Sequence, residues 1–286
     1  MIAAPFDYVR ANSLDEALSL LAQNEDAKIL AGGHSLIPAM KLRLAQPPLL
    51  VDISRIQDLN YVREENGRIR IGAMTTHYQI ESSDLLKKTC PLLPECAAQI
   101  GDLQVRNKGT IGGSVAHADP AGDWPAAIIA LNAELIATNM NGDRTIKADD
   151  FFVDMLTTAL APGEILREIR IDKTDGRTGH AYVKMPHPAS GFAVVGVAAN
   201  LSFNGGSECK SAGIGITGVS SRAYRASAVE AAVTGATLDS SAIASAAARA
   251  TDGVDVNGDV FASDEYRRHL AAVYARRAIA TATGRA

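Results

Sequence analysis

The sequence predicts an α+β fold, with strands and helices gathered in separate stretches rather than in repeated strand–helix–strand units. Three observations carry this expectation. A capped amphipathic helix opens the chain and leads into two short apolar strands with a glycine pair, Gly32-Gly33, between them. The middle of the chain reads as a strand, then a series of short helical stretches, then further strands. Near the end, two long apolar runs flank Asn204-Gly205-Gly206, a strong hairpin signal, and helices follow.

The elements read in order as follows. Ser13 and Glu16 form a Ser-x-x-Glu capping box, and Leu14, Ala17, Leu18 and Leu21 repeat at helical spacing, which predicts a helix over 14–23. Lys28 to Ala31 and Leu49 to Ile53 read as buried strands, giving a β-loop-α-β opening. Ile69-Arg70-Ile71 alternates as a strand should. Helical stretches follow Thr76, Asp84 and Pro91, and 101–109 reads as an irregular polar segment. Residues 110–123 are rich in Gly and Asp, and a helix begins near Trp124. Strands are expected at 134–138 and 165–171. From about Thr178 the texture shifts to the apolar runs 192–203 and 208–219, then to alanine-rich helices at 226–233 and 240–250. A last helix starts after Ser263 or Asp264 and runs to about Ala282, with Tyr266, Leu270, Val273 and Arg277 on one face.

The 286 residues suit two or three packed subdomains. A net charge of −4 and the lack of a Lys/Arg stripe argue against a nucleic-acid partner. Residues 1–10 carry no secretory signal pattern, and the longest apolar stretches, such as 193–201, fall well short of a transmembrane helix. Cys90, Cys96 and Cys209 form no CxxC pair and no iron–sulfur ligand run, so free thiols in a reducing cytoplasm are expected. No metal site and no catalytic acid or base is expected in this chain.

Two glycine loops carry the chemistry. The first is Ala31-Gly32-Gly33-His34-Ser35, with Leu36 beyond it; the second is Thr110-Ile111-Gly112-Gly113-Ser114. Glycines allow close backbone approach and let successive N–H groups converge on one anion. The hydroxyls of Ser35, Thr110 and Ser114 add donors. Two such nests, about 80 residues apart, suit one diphosphate held between two subdomains. Gly-Gly in a turn also has a plain structural reading, because turns need positive φ. Gly213-Ile214-Gly215-Ile216-Thr217-Gly218 matches GxGxxG, but it lies inside an expected strand and opens no helix. It therefore reads as a bulge or a site of close packing.

At these loops the chain resembles the flavoprotein subunit of carbon monoxide dehydrogenase and the flavin domain of xanthine dehydrogenase. The resemblance covers nearly the whole length. It runs through Phe6-Asp7-Tyr8, Ala31-Gly-Gly-His-Ser-Leu-Ile-Pro38 with Lys41, and Ile71-Gly-Ala-Met-Thr-Thr76. It continues through Arg106, the second glycine loop, Asp119-Pro120 with Asp123, Gly163-Glu-Ile-Leu166 and Tyr182-Val-Lys184. It implies that both loops hold the diphosphate of FAD, and that Ile100, Asp123, Leu166 and Lys184 line the flavin. Each has a plainer reading beside this one. Asp123 could be a helix N-cap, Leu166 and Ile100 core, Lys184 a solvated charge and His34 a turn residue. If Lys184 faced the flavin, its charge would favour the anionic reduced ring. After Lys184 the sequence departs from the carbon monoxide dehydrogenase pattern, which is basic and ends in Gly-Asp-Tyr. Here stands Met185-Pro-His-Pro-Ala-Ser-Gly-Phe192, with Phe192 in the position of the ring-shielding aromatic.

The resemblance implies a two-lobed FAD-binding domain of the vanillyl-alcohol-oxidase (PCMH) type, with lobes of about 1–55 and 56–175. A C-terminal domain of antiparallel sheet and helices would span 176–286. It further implies a cytoplasmic electron-transfer subunit, with any membrane association made through its complex. Its partners would be a large subunit carrying the molybdopterin cofactor and a small subunit carrying [2Fe–2S] clusters, in a dimer of heterotrimers. The alternatives are the same role in an aldehyde, purine or heterocycle dehydrogenase, a stand-alone flavin oxidoreductase, and a non-catalytic nucleotide-binding module.

Overall fold

The computed structural model describes residues 1–173, 176–204, 206 and 208–286. Asp175, where the sequence reading places a domain boundary, and Gly205 of the expected hairpin turn lie outside the described residues.

The first lobe holds β1 (Asp7–Arg10), α1 (Leu14–Gln23), β2 (Lys28–Leu30), α2 (Leu36–Lys41) and β3 (Leu49–Asp52). Its three strands are parallel in the order β1-β3-β2. The helix α1 lies where its periodicity predicts, and Ser13 Oγ accepts from Glu16 N at 3.1 Å. The reciprocal half of the capping box is displaced by one residue, since the Glu16 carboxylate accepts from Asn12 N at 2.7 Å. The strand β1 has no apolar alternation and was not legible in the sequence. Its backbone pairs with β3, and its Tyr8 and Arg10 side chains both bond the Asp52 carboxylate. Ala17, Leu18, Val51 and Ile53 form the centre of this lobe's core.

The second lobe runs through β4 (Val62–Glu65), β5 (Arg68–Gly72), α3 (His77–Ser82), α4 (Asp84–Thr89), α5 (Leu92–Ala98), α6 (Leu103–Lys108), α7 (Ile111–His117) and α8 (Asp123–Ala130). It continues with β6 (Glu134–Asn139), β7 (Gly142–Lys147), α9 (Ala148–Phe151), β8 (Phe152–Asp154), β9 (Thr157–Thr158) and β10 (Ile165–Asp172). An antiparallel sheet of order β4-β5-β10-β6-β7 backs the helices. Three sequence expectations need correction. Residues 101–109 are not irregular: Asp102 caps Val105 N at 2.8 Å, and α6 forms with Arg106 paired to Glu81 at 2.8 Å. The second glycine segment is not an open loop but the first turn of α7, capped by Thr110. Gly122, not Asp123, takes the N-cap position of α8, which leaves the Asp123 carboxylate free for other partners.

The C-terminal part comprises β11 (Thr178–Pro186), β12 (Ala193–Phe203), β13 (Cys209–Thr217), β14 (Tyr224–Arg225), α10 (Ser227–Val233), α11 (Ser240–Ala247) and α12 (Asp264–Arg285). Its sheet is antiparallel in the order β11-β12-β13-β14. One face packs on α12 and the other on α8. The apolar runs at 192–203 and 208–219 become β12 and β13 as expected. The buried stripe of α12, however, is Arg267, Leu270, Ala271, Tyr274, Ala275, Ala278, Ile279 and Ala282, while Tyr266 is exposed. Alanines form much of this contact because small side chains let the helix lie close to the strands. The GxGxxG segment lies in β13 up to Thr217, with Gly218 just beyond its end. A Cβ at Gly213 or Gly215 would run into the Ala130 or Ala126 carbonyl of α8, so these glycines serve backbone-to-backbone packing.

Candidate functional site

The fold brings the two glycine segments together. The first leaves β2 and turns at Gly33, whose φ of +76° suits glycine. Gly32 packs against the segment entering α7, where a Cβ would meet the Lys108 carbonyl and stand 2.8 Å from Gly109 Cα. A Cβ at Gly113 would lie 3.5 Å from Ala31 Cβ and 2.8 Å from Thr110 Oγ1. A side chain at Gly32 would push the two lobes apart, whereas one at Gly113 would crowd the Thr110 hydroxyl and cover the surface beside Ala31.

The segments are not equivalent nests. The N–H groups of Gly32, Gly33, His34 and Ser35 have no hydrogen-bond partner among the described residues. In the second segment, Ile111 N donates to Thr75 O at 3.0 Å and Gly112 N to Ala73 O at 2.9 Å. Gly113 N donates to Thr110 Oγ1 at 3.1 Å, and Ser114 N to Thr110 O at 3.0 Å. The first segment thus offers a run of free backbone donors among the described residues, while the second offers the exposed Gly113 and the half-buried Ser114. His34 is exposed, and its Nδ1 lies 2.9 Å from the Gly32 carbonyl, as befits a turn residue. Ser35 and the half-buried Leu36 open α2. Unpartnered N–H groups beside a surface that only glycine leaves clear fit a diphosphate.

A second constellation lies deeper. Lys184 Nζ stands 2.8 Å from Asp123 Oδ1, and each side chain is more than nine-tenths buried. Tyr182 donates its hydroxyl to the same carboxylate oxygen at 2.6 Å. Burial pushes the Asp123 carboxyl up, and the Lys184 ammonium opposes that shift. Burial, with the neighbouring Asp123 charge, pushes the Tyr182 phenol well above its ordinary value. Lys184 also donates to the Gln99 carbonyl at 2.6 Å and the Gly191 carbonyl at 2.9 Å. It is therefore not a solvated strand end. Ile100, half-buried, follows the first of these carbonyls, and Phe192, 45% exposed, follows the second. Leu166 is core at the bulge of β10. It is linked to the second glycine segment through its neighbour Arg167, whose carbonyl accepts from Ala73 N at 2.9 Å.

Sequence reasoning missed His77. It lies under the second segment, with its N–H on the Gly109 carbonyl at 3.0 Å and its Nδ1 accepting from Trp124 Nε1 at 3.0 Å. That bond places the ring proton on Nε2, on the side facing Gly109. Burial, with smaller effects of His34 and Arg106, pushes its pKa down to about 4. The Thr76-x-x-Gln79 capping box around it was the available signal. Arg106, besides pairing with Glu81, donates to the Ile100 and Gly101 carbonyls at 3.2 Å and holds that turn. Among the described residues no His, Cys, Asp and Glu cluster could hold a metal ion, and all three cysteines are buried and free.

Comparison with known proteins gives this geometry a lineage. The family description "FAD binding domain in molybdopterin dehydrogenase" matches residues 4–173, and "CO dehydrogenase flavoprotein C-terminal domain" matches 180–282. The chain is 40% identical to the carbon monoxide dehydrogenase medium chain of Afipia carboxidovorans, over 100% of this chain and 99% of that one. It is 37% identical to the glyceraldehyde dehydrogenase medium chain of Sulfolobus acidocaldarius, over 97% and 98%. The carbon monoxide dehydrogenase structure from Hydrogenophaga pseudoflava superimposes with a TM-score of 0.96 at 40% identity, covering 100% of this chain and 99% of that one. With both halves matched and identity sustained end to end, the chain belongs to the FAD-binding flavoprotein family of the molybdopterin dehydrogenases, alongside their medium chains.

Proposed function

We propose that this chain is the flavin-bearing electron-transfer subunit of a molybdenum hydroxylase of the carbon monoxide dehydrogenase type. FAD would lie without a covalent link between lobes of about 1–55 and 56–175, which together form a flavin domain of the vanillyl-alcohol-oxidase (PCMH) type. A C-terminal domain, 176–286, would close one side. The observation that carries this reading is the run of N–H groups at 32–35, unpartnered among the described residues, in the segment that packs beside Gly113 of the other lobe. When bound, the flavin supplies exchange of electrons between iron–sulfur clusters and an external acceptor.

The chain's own residues bind and orient. The first segment's N–H groups, with the hydroxyls of Ser35 and Ser114, would donate hydrogen bonds to the diphosphate. Ile100 and Phe192 would flank the ring, with Asp123 and Lys184 behind them and Leu166 in the supporting core. Among the described residues, neither histidine beside the loops is placed to move substrate protons. His77 is neutral and tied to Trp124, and the His34 ring is turned onto the Gly32 carbonyl. Substrate oxidation is therefore assigned to a large molybdopterin subunit, and electron delivery to a small [2Fe–2S] subunit, in a dimer of heterotrimers. A cytoplasmic location fits this reading, and among the described residues no helix is long and apolar enough to cross a membrane. The segment 185–192, without the basic residues of the carbon monoxide dehydrogenase pattern, favours a second reading of the substrate as an aldehyde or heterocycle. The relationship to a glyceraldehyde dehydrogenase chain points the same way.

Stopped-flow absorbance in the flavin band tests the relay. The isolated FAD-loaded chain is expected to stay oxidised when carbon monoxide or small aldehydes are added. Addition of the two partner subunits is expected to make bleaching substrate-dependent. Bleaching by the chain alone, as fast as by the complex, would instead mark a self-sufficient flavin oxidoreductase.

A further inference from the structure

We infer that Lys184 is a positioning residue: it clamps together the two turns that carry Ile100 and Phe192, and it does so through hydrogen bonds rather than by presenting its charge to the flavin. The inference rests on the FAD reading only for where the ring lies; the clamp itself is made by protein atoms.

An ammonium has three N–H donors. Those of Lys184 have three acceptors, Asp123 Oδ1 at 2.8 Å, the Gln99 carbonyl at 2.6 Å and the Gly191 carbonyl at 2.9 Å. Nothing is left to donate to a cofactor. The side chain is 3% exposed, and its charge is offset by Asp123, which Tyr182 fixes from the other side. The two carbonyls come from distant parts of the chain, the C-terminal end of α5 and the β11–β12 connection, and one nitrogen sets the separation between them.

Each turn is firm locally but needs this anchor. Gln99 donates its side-chain amide to the Tyr182 carbonyl at 3.0 Å, on the same strand as Lys184. In the other turn Gly191, at φ +73°, donates to the His187 carbonyl at 2.8 Å, and His187 N donates to the Phe192 carbonyl at 2.8 Å. The connection is thus a closed loop with Lys184 at its root. Phe192 ends the loop with a half-exposed ring that core packing does not hold.

Hydrogen exchange on the full chain in excess FAD, read with the visible circular dichroism and midpoint potential of the bound flavin, tests the clamp. In Lys184→Met, amides at 99–101 and 189–193 should exchange faster together, by about tenfold or more, since bonds from a charged donor are lost at both turns. The flavin dichroism should change with them. In Asp123→Asn the two carbonyl bonds remain, and exchange should stay within about threefold of the parent. The opposite pattern overturns the inference: potentials that fall in Lys184→Met and rise in Asp123→Asn, with exchange unchanged at both turns. Faster exchange at only one turn also overturns it. If Lys184→Met fails to fold because Asp123 is left buried without its counter-charge, the double variant Lys184→Met/Asp123→Asn is judged by the same exchange criterion. A parent chain that binds no FAD would defeat the flavin reading, while the exchange comparison would still decide the clamp.

Discussion

His77 carries a proton-linked cost that its position under the second glycine segment makes unavoidable. Its pKa is near 6.5 when unfolded and is pushed down to about 4 in the fold, so the unfolded chain binds a proton that the folded chain refuses. A depressed base pKa gives stability that is fully present above pH 6.5 and is lost as pH falls toward 4, roughly 3 kcal/mol in all. We predict that the urea stability of the parent, minus that of His77→Gln, declines over this window and is flat above it. A difference curve flat throughout would mean that the ring titrates freely. The two glycines of the second segment should also separate by phenotype. Gly112 packs against Ala73 inside the protein, whereas Gly113 is exposed toward Ala31. Gly112→Val is therefore expected to lower thermal stability strongly. Gly113→Val should keep native far-ultraviolet circular dichroism and lose flavin absorbance, and normal FAD content there would remove the second segment from the diphosphate site. At this scale the paired glycines were legible because their composition is local. His77 was not, because the partner that defines it, Trp124, is 47 positions away.

Among the elements, those with local punctuation were legible: α1 from Ser13 and Glu16, α3 and α4 from Thr76 and Asp84 at their starts, β12 and β13 from their apolar runs. The strand β1 and the helix α6 were hidden because tertiary partners hold them, β3 in one case and the Arg106–Glu81 pair in the other. The face of α12 was misjudged because larger residues drew attention away from alanines, and because a buried arginine breaks the apolar stripe. That arginine does structural work. Arg267 donates to the carbonyls of Val194, at 2.6 Å, and Gly218, and pairs with Asp259. It joins α12 to the start of β12 and the exit of β13. Loss of a buried ionic donor leaves carbonyls without partners, so Arg267→Ala should cost roughly 3 kcal/mol in equilibrium denaturation. A cost below about 0.5 kcal/mol, the range of ordinary surface substitutions, would show that the helix docks by its alanines alone.

Across the whole molecule, the change of texture near Thr178 marks a change of sheet and the start of a further core, that of the C-terminal sheet and its helices, yet the same sheet also completes the core of the second lobe. Tyr182, Ala198 and Ala223 belong to the same buried cluster as Trp124, Ile128 and Ile169 of the second lobe. The helix α8, buried on every side, rests its backbone on Gly213 and Gly215. The fragment 1–175 is therefore predicted to expose apolar surface and aggregate when expressed alone, and to become soluble when 176–286 is supplied as a second chain. A monomeric, cooperatively unfolding 1–175 would contradict this. The shared core also bears on timing during synthesis. Both glycine segments leave the ribosome early, but the strands that cover α8, together with Lys184 and Phe192, follow only after most of the chain has been made. Segments that lack their packing partners wait unfolded or loosely collapsed. Cofactor capture should thus be a late event, with ribosome-stalled chains ending before β11 retaining no flavin, and the supply of FAD acting on the finished polypeptide rather than on the growing one.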